Sequence, residues 1–148
     1  MVYYFAYGSN MDEMRMKGRV DCYSIIGGGI LTGYNLRFNK IDDKSGAGYA
    51  NIVLDSESIV EGVIYKVDEI AISKLDINEG TKNHHYYRKQ VKVETNGEIL
   101  NCEVYIAYPE RINDKLKPTK TYLDHLLAGK PYLSEKYYRE ISETKTID

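Results

Sequence analysis

The chain reads as an α+β protein: a small, mainly antiparallel β-barrel or curved sheet with a few flanking helices. Three observations predict this. Apolar and polar residues alternate with period two at 34–39, 60–67, 87–95 and 98–107, the mark of half-buried strands. Asn96-Gly97 separates the last two runs and is a strong signal for a two-residue hairpin turn of type I′. Helical signals are confined to an early stretch, to 68–80 and to the C-terminal part, so most strands follow one another directly and pair antiparallel.

The elements follow in order. Tyr3-Tyr4-Phe5-Ala6-Tyr7 is an apolar, aromatic run and reads as a buried strand. It breaks at Gly8 and passes through Ser9 and Asn10 into a helix start, with Asn10 as N-cap and Asp12 and Glu13 in the first turn. Ser24-Ile25-Ile26, Gly27-Gly28-Gly29 and Ile30-Leu31 read as strand, bulge, strand. From Gly33 the alternation puts Tyr34, Leu36 and Phe38 on one face. Residues 42–48 form a loop, and strands follow at 49–54 and 60–67. Asp68 caps a helix over Glu69–Leu75 that ends at Gly80, a C′ residue. Residues 81–85 are polar loop, 87–107 the hairpin, and 109–118 a loop with two prolines. Thr119 caps a helix carrying Tyr122, Leu123, Leu126 and Leu127, stopped by Gly129 and Pro131. Ser134 caps a final helix with Tyr137, Tyr138 and Ile141. No repeat or linker interrupts residues 1–148, which read as one domain.

Composition excludes several classes. The formal charge is -2 and the basic residues are scattered, which argues against nucleic acid and anionic membranes as partners. No apolar stretch reaches transmembrane length, and the first residues lack the pattern of a signal peptide. Cys22 and Cys102 stand alone in strand-like surroundings, as unpaired thiols of a reducing, cytoplasmic compartment do. Tyrosine is unusually frequent, with 15 Tyr against two Phe and no Trp. Most fit half-buried strand positions, and the rest can line a polar pocket.

Chemistry narrows by elimination. His84, His85 and His125 lack metal-ligand spacing, so no metal site is expected. The Gly27–Gly33 glycines miss the dinucleotide-binding register and precede a strand instead of a helix. Ser9 sits at a strand-to-helix turn but lacks the GxSxG elbow and a histidine partner. Two carboxylates remain, each beside a glycine in an apolar segment. Glu61 falls on an alternating strand and is expected on an exposed face. Glu79 ends a helix, where its charge opposes the dipole and so needs another reason to be there.

Five segments then form a pattern: Phe5-Ala6-Tyr7-Gly8-Ser9-Asn10-Met11, Gly48-Tyr49-Ala50-Asn51-Ile52, Val60-Glu61-Gly62-Val63-Ile64-Tyr65, Leu75-Asp76-x-x-Glu79-Gly80, and Tyr87-Arg88 before Val91-Lys92-Val93. In order and spacing they resemble the gamma-glutamylcyclotransferase family, in its YGSN branch, over nearly the whole chain. The resemblance implies a small mixed barrel and an enzyme without cofactor. It implies that Tyr7, Gly8, Ser9 and Asn10 hold a gamma-glutamyl group, that Glu79 is the general acid–base, and that Tyr137 closes the pocket. The small-molecule substrate it implies is a gamma-glutamyl amide, cyclised to 5-oxoproline with release of an amine. Such a reaction needs no enzyme nucleophile, because the substrate's own amino group attacks. Open alternatives are a binding module without turnover and the same chemistry on a specialised gamma-glutamyl metabolite. The leaving group is expected to meet segments 40–48, 81–86 and 109–118. The oligomeric state is left open.

Overall fold

A computed structural model describes residues 1–148. Five strands close into a barrel in the order β1-β3-β2-β4-β5: β1 (Val2–Ala6), β2 (Tyr23–Ile41), β3 (Gly48–Val67), β4 (Tyr86–Thr95) and β5 (Glu98–Ala107). Neighbours are antiparallel except β5 and β1, which meet in parallel and close the ring. The helices are α1 (Glu13–Arg19), α2 (Glu69–Asn78), α3 (Lys120–Leu127) and α4 (Glu135–Ser142).

The short strands expected between 24 and 67 are two long ones. Register shifts at Ile25/Gly27, Thr32/Tyr34 and Arg37/Lys40 let β2 bend without ending, so each apparent break is a bulge. Gly27 has a positive φ of 145°, whereas at Gly28 and Gly29 the reason for glycine is contact. A Cβ on Gly28 would lie 2.3 Å from the Tyr132 carbonyl oxygen, and one on Gly29 would lie 2.6 Å from a Val93 methyl. The hairpin at Asn96-Gly97 has positive φ at both residues (47° and 79°), as type I′ requires.

Three of the expected caps form. The side chains of Asp68, Thr119 and Ser134 accept from the backbone N–H groups of Ala71, Tyr122 and Tyr137. The early helix is capped differently. Asp12, not Asn10, accepts from the Met14 N–H. Asn10 sits one step earlier, in a 3-10 turn over Ser9–Met11, and is buried. The cause is tertiary: its side-chain amide donates to the Tyr4 hydroxyl at 2.9 Å, and its backbone carbonyl accepts from the Tyr65 hydroxyl at 2.6 Å.

The core packs the barrel interior against α2, α3 and α4 through residues such as Phe5, Ile52, Val63, Leu75, Leu126 and Ile141. A polar thread crosses it. Asn51, fully buried, accepts from the Ala107 N–H at 2.9 Å and donates to Asn39, which donates to Asp114. Glu61 is also buried, not exposed as its alternation suggests. It accepts from the Ser134 N–H and hydroxyl, both at 2.7 Å, and so ties the start of α4 to β3. Cys102 is buried in β5, whereas Cys22 is exposed in the turn before β2.

Asn51→Leu strands the Ala107 N–H and the Asn39 carbonyl in an apolar interior. We expect a loss of about 2–4 kcal/mol of stability, read from the midpoint of urea unfolding.

Candidate active site

The junction between β1 and α1 is built from Tyr7, Gly8 and the Ser9–Met11 turn. A helical turn leaves its first N–H groups without partners inside the turn. Here the residues of that turn border a cavity of about 350 Å³, within the range of small-molecule sites. The cavity lining includes Tyr7, Gly8, Ser9 and Asn10 from this junction and Glu79 from the end of α2.

Glu79 reaches the cavity because of how α2 ends. Ala71, Ile72 and Leu75 bury one face of α2 against the barrel. Glu79 is the C-cap, its N–H bonded to the Leu75 carbonyl, and Gly80 at φ 66° turns the chain away. Asp76, one turn earlier, accepts from the Tyr105 hydroxyl at 2.7 Å and pairs with Arg88 at 3.1 Å, which anchors this end of the helix to β4 and β5.

The Glu79 side chain is 17% exposed and lies 3.5 Å from the Arg19 guanidinium. No hydrogen bond holds the carboxylate. Burial pushes its pKa above the ordinary 4.5, and Arg19, Arg15 and Lys40 pull it part of the way back. Burial raises the pKa values of Tyr4, Tyr7, Tyr86, Tyr105 and Tyr122 around it, and the charge of Glu79 adds to the rise in each. Three of these hydroxyls give their protons elsewhere. Tyr7 donates to the Tyr105 carbonyl at 2.5 Å, Tyr86 to the Ala50 carbonyl at 2.8 Å and Tyr105 to Asp76. Tyr122 accepts from the Ala50 N–H at 3.1 Å, and burial pushes its pKa up to about 12. The bulge at Arg37/Lys40 frees the Ala50 backbone from the β2–β3 ladder, and the two tyrosines take its place.

Five expected residues therefore line one cavity: Tyr7, Gly8, Ser9, Asn10 and Glu79. The sixth does not. Tyr137 is buried on the face of α4 that packs onto the core, beside the Glu61–Ser134 contact. The reason is helical phase, since Tyr137 and Ile141 lie four residues apart and face inward together. Segments 40–48 and 81–86 reach the cavity through Lys40, Asp42, Asp43, Lys44, His85 and Tyr86. Segment 109–118 does not line it. It braces the mouth, where Arg111 bonds the carbonyls of Asn83 and His84 and pairs with Asp43.

Sequence reasoning missed the cations. Arg15 and Arg19 are four residues apart on α1 and share one face, a signal that was present in the spacing. Lys40 gave none, because its position on β2 depends on the bulge. The adjacent histidines diverge: His84 stacks on Tyr108, while His85 turns to Lys40. No group of three or more His, Cys, Asp or Glu is arranged to hold a metal ion.

Fold and cavity define a class: small mixed barrels in which one partly buried acid, at the end of a helix, faces a strand–turn–helix junction. A profile of the family described as gamma-glutamyl cyclotransferase, AIG2-like, matches residues 4–124, and the chain belongs to that family. It is 32% identical to YkqA of Bacillus subtilis strain 168, whose name assigns it provisionally to the gamma-glutamylcyclotransferases, over 95% of this chain and 52% of YkqA. It is 31% identical to the human gamma-glutamylcyclotransferase over 70% of this chain and 57% of the human protein. The chain thus spans little more than half the length of these curated relatives. Among solved structures, one gamma-glutamyl cyclotransferase superposes with a TM-score of 0.92 at 24% identity, covering 99% of this chain and 89% of the other. The YkqA structure superposes with a TM-score of 0.84 at 25% identity, covering 98% of this chain and 55% of that one.

Glu79→Gln removes a carboxyl whose folded pKa is raised. The folded state then binds that proton more tightly than the unfolded chain does. This contribution to wild-type stability is complete below about pH 4.5 and is lost as the pH rises through the folded value. Thermal melts between about pH 4 and 8 are expected to show the variant gaining on the wild type as pH rises. A difference that stays constant across that range contradicts the assignment.

Proposed function

We propose that this chain is a gamma-glutamyl cyclotransferase in which Glu79 is the general acid–base. The observation that carries the reading is the meeting, in one cavity, of the Tyr7–Asn10 junction and a carboxylate with no hydrogen bond of its own.

The substrate is a gamma-glutamyl amide. The backbone N–H groups at the start of the Ser9–Met11 turn receive an anionic oxygen of the substrate. The cavity walls fold the gamma-glutamyl chain so that its amino nitrogen approaches its own gamma-carbonyl carbon. Well-oriented ring closures of this kind reach effective molarities of about 10⁵–10⁸ M. Glu79 takes a proton from the ammonium, and the freed amine attacks. The carbon–nitrogen bond to the leaving group breaks as Glu79 returns the proton to the departing nitrogen, and the ring nitrogen's second surplus proton passes to the released amine, which leaves as an ammonium. The products are 5-oxoproline and a free amine.

The surroundings of Glu79 suit both halves of that exchange. Burial raises its pKa toward the working range, which favours return of the proton. Arg19 keeps the ionised form accessible for the first step. The hydroxyls of Tyr7, Tyr86 and Tyr105 donate elsewhere and do not compete for the carboxylate. Ser9 acts through its backbone, since the substrate supplies its own nucleophile.

Glu79→Gln keeps the size and polarity of the side chain but cannot shuttle a proton. We expect release of 5-oxoproline from gamma-glutamyl-alanine to fall by about 10²–10⁴-fold, with substrate binding retained. Wild-type rates in the variant rule out this role. Binding of 5-oxoproline without turnover by the wild type indicates a binding module instead.

A further inference from the structure

The proposed chemistry leaves one charged group of the cavity unused. Lys40 lines the cavity yet is only 3% exposed. Its ammonium donates to the Ile41 carbonyl and to His85 Nδ1, both at 2.8 Å, which uses two of its three N–H groups. It stands over the rings of Tyr49 and Tyr86, 5.7 and 5.5 Å from their centroids. No carboxylate pairs with it. The nearby acids are engaged elsewhere: Asp43 with Arg111, Glu79 with Arg19, and Asp42 with the Lys44 N–H and the Ser45 hydroxyl. They reach Lys40 only through their field, and burial still pulls its pKa down. A buried ammonium without an anion is expensive to maintain. An anionic group entering the cavity removes that cost and takes the remaining N–H.

Resting on the cyclotransferase reading, we propose that Lys40 binds a carboxylate on the leaving group. The chain then selects gamma-glutamyl amides of amino acids over those of simple amines. The gamma-glutamyl part brings one carboxylate, for which the Tyr7–Asn10 junction offers N–H donors. A second anion has to come from the other side of the scissile amide. Lys40 enters the cavity from β2, a different element from the one that carries the junction, and Glu79 feels its charge from there.

Gamma-glutamyl-alanine and gamma-glutamyl-ethylamide differ by the carboxylate alone and provide the test. For the wild type we expect kcat/KM to favour the alanine derivative at least about tenfold, chiefly through KM. In Lys40→Gln that ratio should collapse toward one, and Lys40→Arg should retain most of it. A wild-type ratio near one overturns the assignment, as does a Lys40→Gln enzyme that keeps the wild-type ratio, even if both substrates slow equally. Should Lys40→Gln fail to fold, product inhibition of the wild type decides: free L-alanine must inhibit more strongly than ethylamine, and equal inhibition overturns the assignment. Turnover of neither substrate sinks the cyclotransferase reading itself. Equal turnover of both sinks only the role of Lys40.

Discussion

Glu79 lies partly buried among five tyrosines, 3.5 Å from one arginine, with no hydrogen bond to its carboxylate. That condition is costly for an acid, and much of the surrounding architecture maintains it. The tyrosine rings wall the cavity, while the hydroxyls of Tyr7, Tyr86 and Tyr105 are directed to backbone carbonyls and to Asp76. Were any of these hydroxyls free to donate to Glu79, its ionised form would be stabilised and its pKa would fall. The helix that carries it is anchored at both ends, by the Asp68 cap and by the contacts of Asp76 with Tyr105 and Arg88.

The barrel supplies the positions. Parallel closure of β5 on β1 sets Tyr105 beside Tyr7, whose hydroxyl bonds the Tyr105 carbonyl. The β2 bulge at Arg37/Lys40 serves the cavity twice. It releases the Ala50 backbone to Tyr86 and Tyr122, and it lies where Lys40 enters the wall. The abundance of tyrosine has its explanation here: the rings fill the core, and the hydroxyls satisfy backbone groups that the bent sheet leaves unpaired.

Local chemistry was well expressed in the residues themselves. Asp68, Thr119 and Ser134 cap their helices as expected, Gly80 turns the chain after α2, and Asn96-Gly97 forms its hairpin. Each depends on contacts a few residues apart, which spacing reveals. Failures came where a partner from far along the chain intervened. Asn10 serves Tyr4 and Tyr65 instead of capping a helix, Glu61 is drawn inside by Ser134, and Tyr137 turns to the core. The long β2 and β3 strands appeared fragmented because bulges interrupt an alternation without interrupting a strand.

By itself the sequence determined the class, the order of the elements, the strand–turn–helix junction at Tyr7–Asn10 and the candidacy of Glu79. These follow from short-range propensities and from the similarity of whole segments to a family. Only the tertiary structure decided that the junction and Glu79 share one cavity, that Tyr137 stands outside it, and that Arg15, Arg19 and Lys40 stand within it. The physical reason is that a side chain's charge and hydrogen bonds depend on what closes over it. Barrel closure brings together groups separated by tens of residues, at distances that no local periodicity encodes.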